Sequence, residues 1–147
     1  MRKKLRVFLD TSAILAGLNS PSGAAGVILS LVAASKITGV ISPQIIDEGE
    51  EVIGTKFPKL YLAWTAFLLL PLEVTPNPSM TRVRHAYIIL PTNDAPILAS
   101  AMRANPDALV TWNTRDFLRP NVVRLVNFPI LRPGDFLDLA RKKRVLV

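Results

Sequence analysis

The sequence predicts an α/β fold with a mostly parallel central sheet. Apolar runs of strand length recur at residues 5–9, 37–41 and 108–112, and the stretches between them repeat apolar residues at helical spacing. Proline and glycine mark many of the boundaries, and no repeat, low-complexity tract or linker interrupts the 147 residues. A single domain over residues 1–147 is expected, long enough to bury a two- or three-layer core.

The elements follow in order. Residues 5–9 form the first strand, apolar at Val7, Phe8 and Leu9. The stretch "VFLDTSAILAGL" then leads from this strand into an apolar segment, and a single carboxylate, Asp10, stands between them with Thr11 and Ser12. Residues 23–36 form a helix, with Val27, Ile28, Leu31 and Val32 on one face. Residues 37–41 form a second strand. Ser42 and Pro43 open the next helix, a good N-cap followed by the residue favoured at the first helical position, and it runs to about Gly54. A helix over 58–70 and a short strand at 72–74 come next, then a helix over 80–90. Asn93 and Asp94 start another helix that ends near Ala104. Residues 108–112 and 122–126 form two more strands, and Pro133-Gly134-Asp135 opens a last short helix. In parallel α/β sheets, sites form beyond the carboxyl ends of the strands.

That rule makes the positions of the acids informative. Asp10 ends the first strand, Asp94 starts a helix, and Asp116 follows the 108–112 strand by four residues. Asp47, Glu48, Glu50 and Glu51 lie on the helix after the second strand. On a wheel of about 100° per residue, Ile45, Ile46, Gly49, Val52 and Ile53 share one face. Asp47 and Glu51 point away from that face, while Glu48 and Glu50 flank it. Glu48 is nearer the helix start, where the preceding strand delivers the chain to the sheet edge, so it is preferred, with Glu50 as the alternative. Taken singly, Asp94, Asp116 and Glu48 also fit cap or surface roles. Asp10 differs, because a carboxylate ending a buried strand is costly without a partner. Four converging carboxylates would raise one another's pKa unless a divalent cation balanced them. Mg²⁺ or Mn²⁺ suits such oxygen ligands and leaves positions open for a phosphate, which allows phosphodiester hydrolysis without histidine.

Composition narrows the alternatives. There is no cysteine and one histidine, which excludes disulfides, thiol nucleophiles, zinc–thiolate sites and any chemistry needing two imidazoles. His85, on a helix beside Arg84, reads as a surface residue. The net charge of +7 and a pI near 10.3 suit a polyanionic partner such as nucleic acid. The basic residues cluster at the ends, Arg2-Lys3-Lys4-Arg6 and Arg141-Lys142-Lys143-Arg144, with Arg82, Arg84, Arg103, Arg115 and Arg119 scattered between. The longest apolar run, residues 60–72, is shorter than the roughly 20 residues of a membrane-spanning helix. Asp10 also interrupts what would be a signal-peptide core. No membrane association and a cytoplasmic location are expected. Trp112 is expected to pack, with stacking on a base as the alternative.

Together, "VFLDTSAILAGL", "SPQIIDEGEEVI", "NDAPILASAM", "ALVTWNTRDF" and "ILRPGDFLDLA" resemble the PIN-domain family over nearly the whole chain. The "SPSG" stretch resembles the family's VapC-like toxin components of toxin–antitoxin pairs. The resemblance implies a Rossmann-like α/β/α sandwich and a hydrolase, a Mg²⁺- or Mn²⁺-dependent endoribonuclease cutting single-stranded RNA. It implies a small antitoxin partner and a homodimer. By motif, Asp10, Glu48 and Asp94 match the first three family acids, both catalytic and metal-binding. The fourth motif position is Asn113, and the acid comes three residues later, so Asp116 takes the fourth acidic role and Asn113 a supporting one. Thr11, Ser12, Thr111, Asn113 and Arg115 make up the supporting and substrate-binding set. A haloacid-dehalogenase-type phosphatase also places an Asp after its first strand, but it needs a second acid where this chain has Ser12, and a deep lysine that is missing between Lys59 and Lys142. A non-catalytic RNA-binding protein is the remaining alternative, and Asn113 is the residue that keeps it open.

Overall fold

The computed structural model describes residues 3–143. Arg2 and Arg144, one from each terminal basic cluster, lie outside the described residues. The chain runs β1 (Arg6–Leu9), α1 (Thr11–Asn19), α2 (Ala24–Ala33), β2 (Thr38–Ile41) and α3 (Pro43–Lys56). A 3₁₀ turn (Pro58–Leu60) leads into α4 (Tyr61–Leu68), β3 (Glu73–Val74), α5 (Met80–Ile89) and α6 (Ala95–Ala104). Then come β4 (Ala108–Val110), α7 (Thr114–Phe117), α8 (Pro120–Leu125), β5 (Ile130–Leu131) and α9 (Pro133–Lys142).

All five strands are parallel, in the order β3-β2-β1-β4-β5. The chain builds outward from β1 to β3 on one side and then returns to β4 on the other. The switch point therefore lies between β1 and β4, where Leu9 pairs with Val110. Helices flank the sheet, giving the α/β architecture expected from the sequence. The inner strands are apolar on both faces, as a sheet covered on both sides requires: Val7, Phe8, Leu9, Ala108, Leu109 and Val110 are all buried.

One expected strand is a helix. Residues 122–126 are rich in β-branched valine, a composition that favours strands. Pro120 stands at the start of α8, however, and only Val122 of that helix is buried. The edge position goes instead to Ile130–Leu131, which the sequence reading missed. There the Leu109 N–H donates to the Pro129 carbonyl and the Thr111 N–H to the Leu131 carbonyl, both at 3.0 Å.

Two local features set α3, which carries Glu48. Ser42 is fully buried and its hydroxyl accepts from the Ile45 N–H at 3.4 Å, as an N-cap should. Gly49 lets the helix approach Trp64, whose ring is wholly buried and stacked on Phe67 at 5.8 Å. A Cβ at position 49 would lie 2.1 Å from the Trp64 ring. Gly49→Ala is therefore expected to lower stability by about 1–3 kcal/mol, the usual cost of overpacking a core, read as a lower urea midpoint at unchanged slope. An unchanged midpoint would mean that α3 can move away from Trp64 freely.

The basic N-terminal cluster is partly structural. Arg6 pairs with Glu73, donates to the Ala104 carbonyl at 2.9 Å, and is fixed at the amino edge of the sheet. In the C-terminal cluster, Arg141 pairs with Asp138 at 3.1 Å. Among the described residues no single helix is long and apolar enough to cross a membrane. The α1–α2 pair is apolar enough together but bends by 96°.

Candidate active site

Asp10 follows β1 directly and takes the N-cap position of α1, yet its carboxylate makes no capping hydrogen bond of ordinary geometry. It turns instead toward β4. Its Oδ2 accepts from the Ser12 hydroxyl and from the Thr111 hydroxyl, each at 2.8 Å. Thr111 follows β4, the strand paired with β1, so the register of the sheet creates this contact across 101 positions of sequence. Asp10 is only 4% exposed. Burial pushes its pKa up, and the Thr111 and Ser12 hydroxyls, with the Thr11 and Ser12 N–H groups, offset part of the rise.

Glu48 and Asp94 join it. Burial, then the charges of Asp10 and Asp94, drive Glu48 up to about 7. The Thr11 hydroxyl lies on its side and offsets part of this, although Thr11 is buried without a hydrogen-bond partner of ordinary length. Burial, then the Asp10 charge and Asp116, drive Asp94 up to about 6. Asp94 stands at the N-cap of α6 without capping it; its N–H donates to the Thr92 hydroxyl at 3.1 Å. Asn113 connects the last pair, with Nδ2 donating to Asp94 at 2.9 Å and to Asp116 at 3.3 Å. Asp116 lies within the short α7 and forms an ion pair with Arg119 at 3.1 Å.

The fold thus brings all four sequence-predicted acids to the carboxyl edge of the sheet, on either side of the switch point. Thr11, Ser12, Thr111 and Asn113 are among them, while Arg115 is exposed on α7. Glu50 is exposed and takes no part in the mutual repulsion; Glu48 is half-buried within it. An open cleft of about 470 Å³ runs between α3 and α6, with Glu48 and Asp94 in its wall. Asp47 and Glu51, which the wheel directs to solvent, are exposed but also line this cleft. Arg119 and Thr92 were missed as site residues. The spacing of Asp116 and Arg119, three apart at a helix start, was the available signal for the ion pair. Thr92 left no signal beyond its closeness to Asp94.

Trp112 corrects a further expectation. It packs only in part: half of its surface, 50%, is exposed. Its side chain follows a strand end where Thr111 already fills the buried position. His85 is exposed, as expected.

The donor set suits a hard divalent cation. It offers oxygen alone, and among the described residues Asp10, Glu48 and Asp94 have no salt bridge, whereas Asp116 has Arg119. Burial raises all three pKa values, and the charge of Asp10 adds to the rise at Glu48 and Asp94. The set is open rather than closed: among the described residues no group of three or more acids stands close enough to hold one ion as placed.

The PIN-domain profile matches residues 6–115, which include Asp10, Glu48, Asp94 and Asn113 and stop one residue short of Asp116. The chain belongs to the PIN-domain family. Several solved structures share its fold. VapBC2 from Rickettsia felis, bound to a DNA fragment from its promoter, aligns with a TM-score of 0.62 and 22% identity, covering 87% of this chain and 98% of that one. PAE2754 from Pyrobaculum aerophilum aligns with a TM-score of 0.64 and 13% identity, covering 94% and 96%. VapC20 from Mycobacterium tuberculosis, a sarcin–ricin loop cleaving toxin, aligns with a TM-score of 0.53 and 15% identity, covering 82% and 95%. No curated protein matches the chain in sequence.

Proposed function

We propose that this PIN-domain protein is a Mg²⁺- or Mn²⁺-dependent endoribonuclease acting on single-stranded RNA, the toxin of a type II toxin–antitoxin module. The observation that carries the reading is the convergence of Asp10, Glu48 and Asp94 at the switch point, none of them in a salt bridge among the described residues. Asp10, Glu48, Asp94 and Asp116 are the residues that would hold the ion. When bound, such an ion supplies charge neutralisation and Lewis-acid assistance to phosphodiester hydrolysis.

The chain's own residues do the rest. Ser12 and Thr111 hold the Asp10 carboxylate in one orientation through Oδ2. Asn113 holds Asp94 and Asp116 at a fixed separation, and Arg119 anchors Asp116 from the outer side. The positive charge elsewhere on the chain offsets the repulsion that an acidic cleft exerts on phosphate. The toxin role and an antitoxin partner are supported by likeness to VapBC proteins, and a homodimer is part of the same proposal. Leu62, Leu69 and Ile88, which are 80%, 82% and 79% exposed, are apolar surface that a partner would cover.

The test is a cleavage assay on labelled single-stranded RNAs with Mg²⁺ or Mn²⁺, repeated in EDTA. Cleavage that EDTA abolishes and either metal restores is the expected result. Binding without cleavage, across varied RNAs and both metals, would favour the non-catalytic RNA-binding alternative.

A further inference from the structure

We propose that the indole of Trp112 stacks on an unpaired base of the RNA beside the phosphodiester to be cut, and so sets the preference for a single strand. This rests on the nuclease reading above and names the contact that would select its substrate. Trp112 is large and apolar, yet it leaves 50% of its surface in water, while the other tryptophan, Trp64, is wholly buried.

The residue stands at the acid cluster, and its backbone is locked on both sides. Its N–H donates to the Ser12 hydroxyl at 2.9 Å, and that hydroxyl donates to Asp10 at 2.8 Å. Thr111, just before it, is hydrogen-bonded to Asp10. Asn113, just after it, donates its N–H to the Thr111 hydroxyl at 2.8 Å and its side chain to Asp94 at 2.9 Å. Two hydrogen bonds therefore separate the Trp112 backbone from the Asp10 carboxylate. A backbone fixed in this way leaves only the side-chain torsions of the indole to be ordered when a ligand stacks on it. Every base presents a π-face, so such a platform accepts any sequence but requires the base to be out of a duplex. Arg115, three residues on, is exposed, and its charge would favour the phosphate backbone of the same strand.

Two measurements test this. In steady-state cleavage of a labelled single-stranded RNA, Trp112→Ala is expected to raise KM by about tenfold or more, the range of base–aromatic stacking, with kcat little changed. Trp112→Phe, which keeps a π-face, should recover most of the loss. In the second measurement, short single-stranded RNA is titrated into the Asp10→Asn protein and tryptophan emission is followed. Emission should fall, the fall should vanish in Asp10→Asn/Trp112→Phe, and a duplex of the same sequence should cause little change. An unaltered KM in Trp112→Ala together with unquenched emission would overturn the proposal. Equal loss in the Ala and Phe variants with a lowered Tm would also overturn it, since that marks packing. Absence of cleavage by the wild type, with or without metal, counts against the nuclease reading instead; the emission titration still decides the stacking.

Discussion

Asp10→Asn is expected to reduce RNA cleavage by roughly 10²–10³-fold or more, the loss seen when one preorganised electrostatic contact is removed from an active site. The same substitution should leave the metal-free fold intact and raise its thermal stability. Asn keeps a carbonyl oxygen for the Ser12 and Thr111 hydroxyls, and it removes a charge whose burial is unfavourable. The two readouts therefore move in opposite directions, activity down and Tm up. A variant that cuts as fast as the wild type would show that the measured activity belongs to a contaminant. A variant that unfolds would show that the Asp10 charge is structural.

The second large effect couples pH, stability and metal through Glu48. Without a cation, Glu48 near 7 and Asp94 near 6 hold their protons more tightly in the folded chain than carboxylates do when unfolded. The folded state then binds more protons than the unfolded one across this window. Stability from these two groups is greatest below the ordinary carboxylate range and is lost as pH rises through about 6 and about 7. Both groups are partly exposed to solvent, which screens the effect, so a decline of roughly 2–8 °C in metal-free Tm is expected over that range. Glu48→Gln should flatten the decline, and the difference between the two curves isolates the contribution of Glu48. Added Mn²⁺ should raise the wild-type Tm more at pH 7.5 than at pH 5, because only the deprotonated carboxylates bind it. Glu50→Gln, at an exposed position, should behave as the wild type does. Identical curves for Glu48→Gln and the wild type would remove Glu48 from the cluster, as would Mn²⁺ density touching Asp10 and Asp94 but far from Glu48.

Much of this was legible in the linear chain. Helices announced themselves through caps and periodicity: Ser42-Pro43 before α3 and Asp94 before α6 stand where the sequence placed them. Strands buried on both faces also showed, because Val7–Leu9 of β1, Val40–Ile41 of β2 and Ala108–Val110 of β4 are apolar runs. The misassigned segment had strand-like composition without strand-like burial, since Val123 and Leu125 are each 49% exposed. The two-residue strand β5 could not show a period at all. It is a strand because β4 offers it hydrogen-bonding partners, a property of the neighbour rather than of its own residues.

The sequence by itself determined the order of elements, an acid after β1, acids at the starts of α6 and near α7, and the lack of thiols or a second imidazole for any other chemistry. Those are consequences of local pattern and composition, which a chain carries wherever it folds. Only the tertiary structure decided that Thr111 would hold Asp10, that Glu48 rather than Glu50 would face Asp10 and Asp94, that Asn113 would bridge two acids and Arg119 anchor one, and that Trp112 would stand half in water. Each of these depends on sheet register, helix rotation or packing between residues far apart in sequence, and electrostatic coupling exists only once those distances are set.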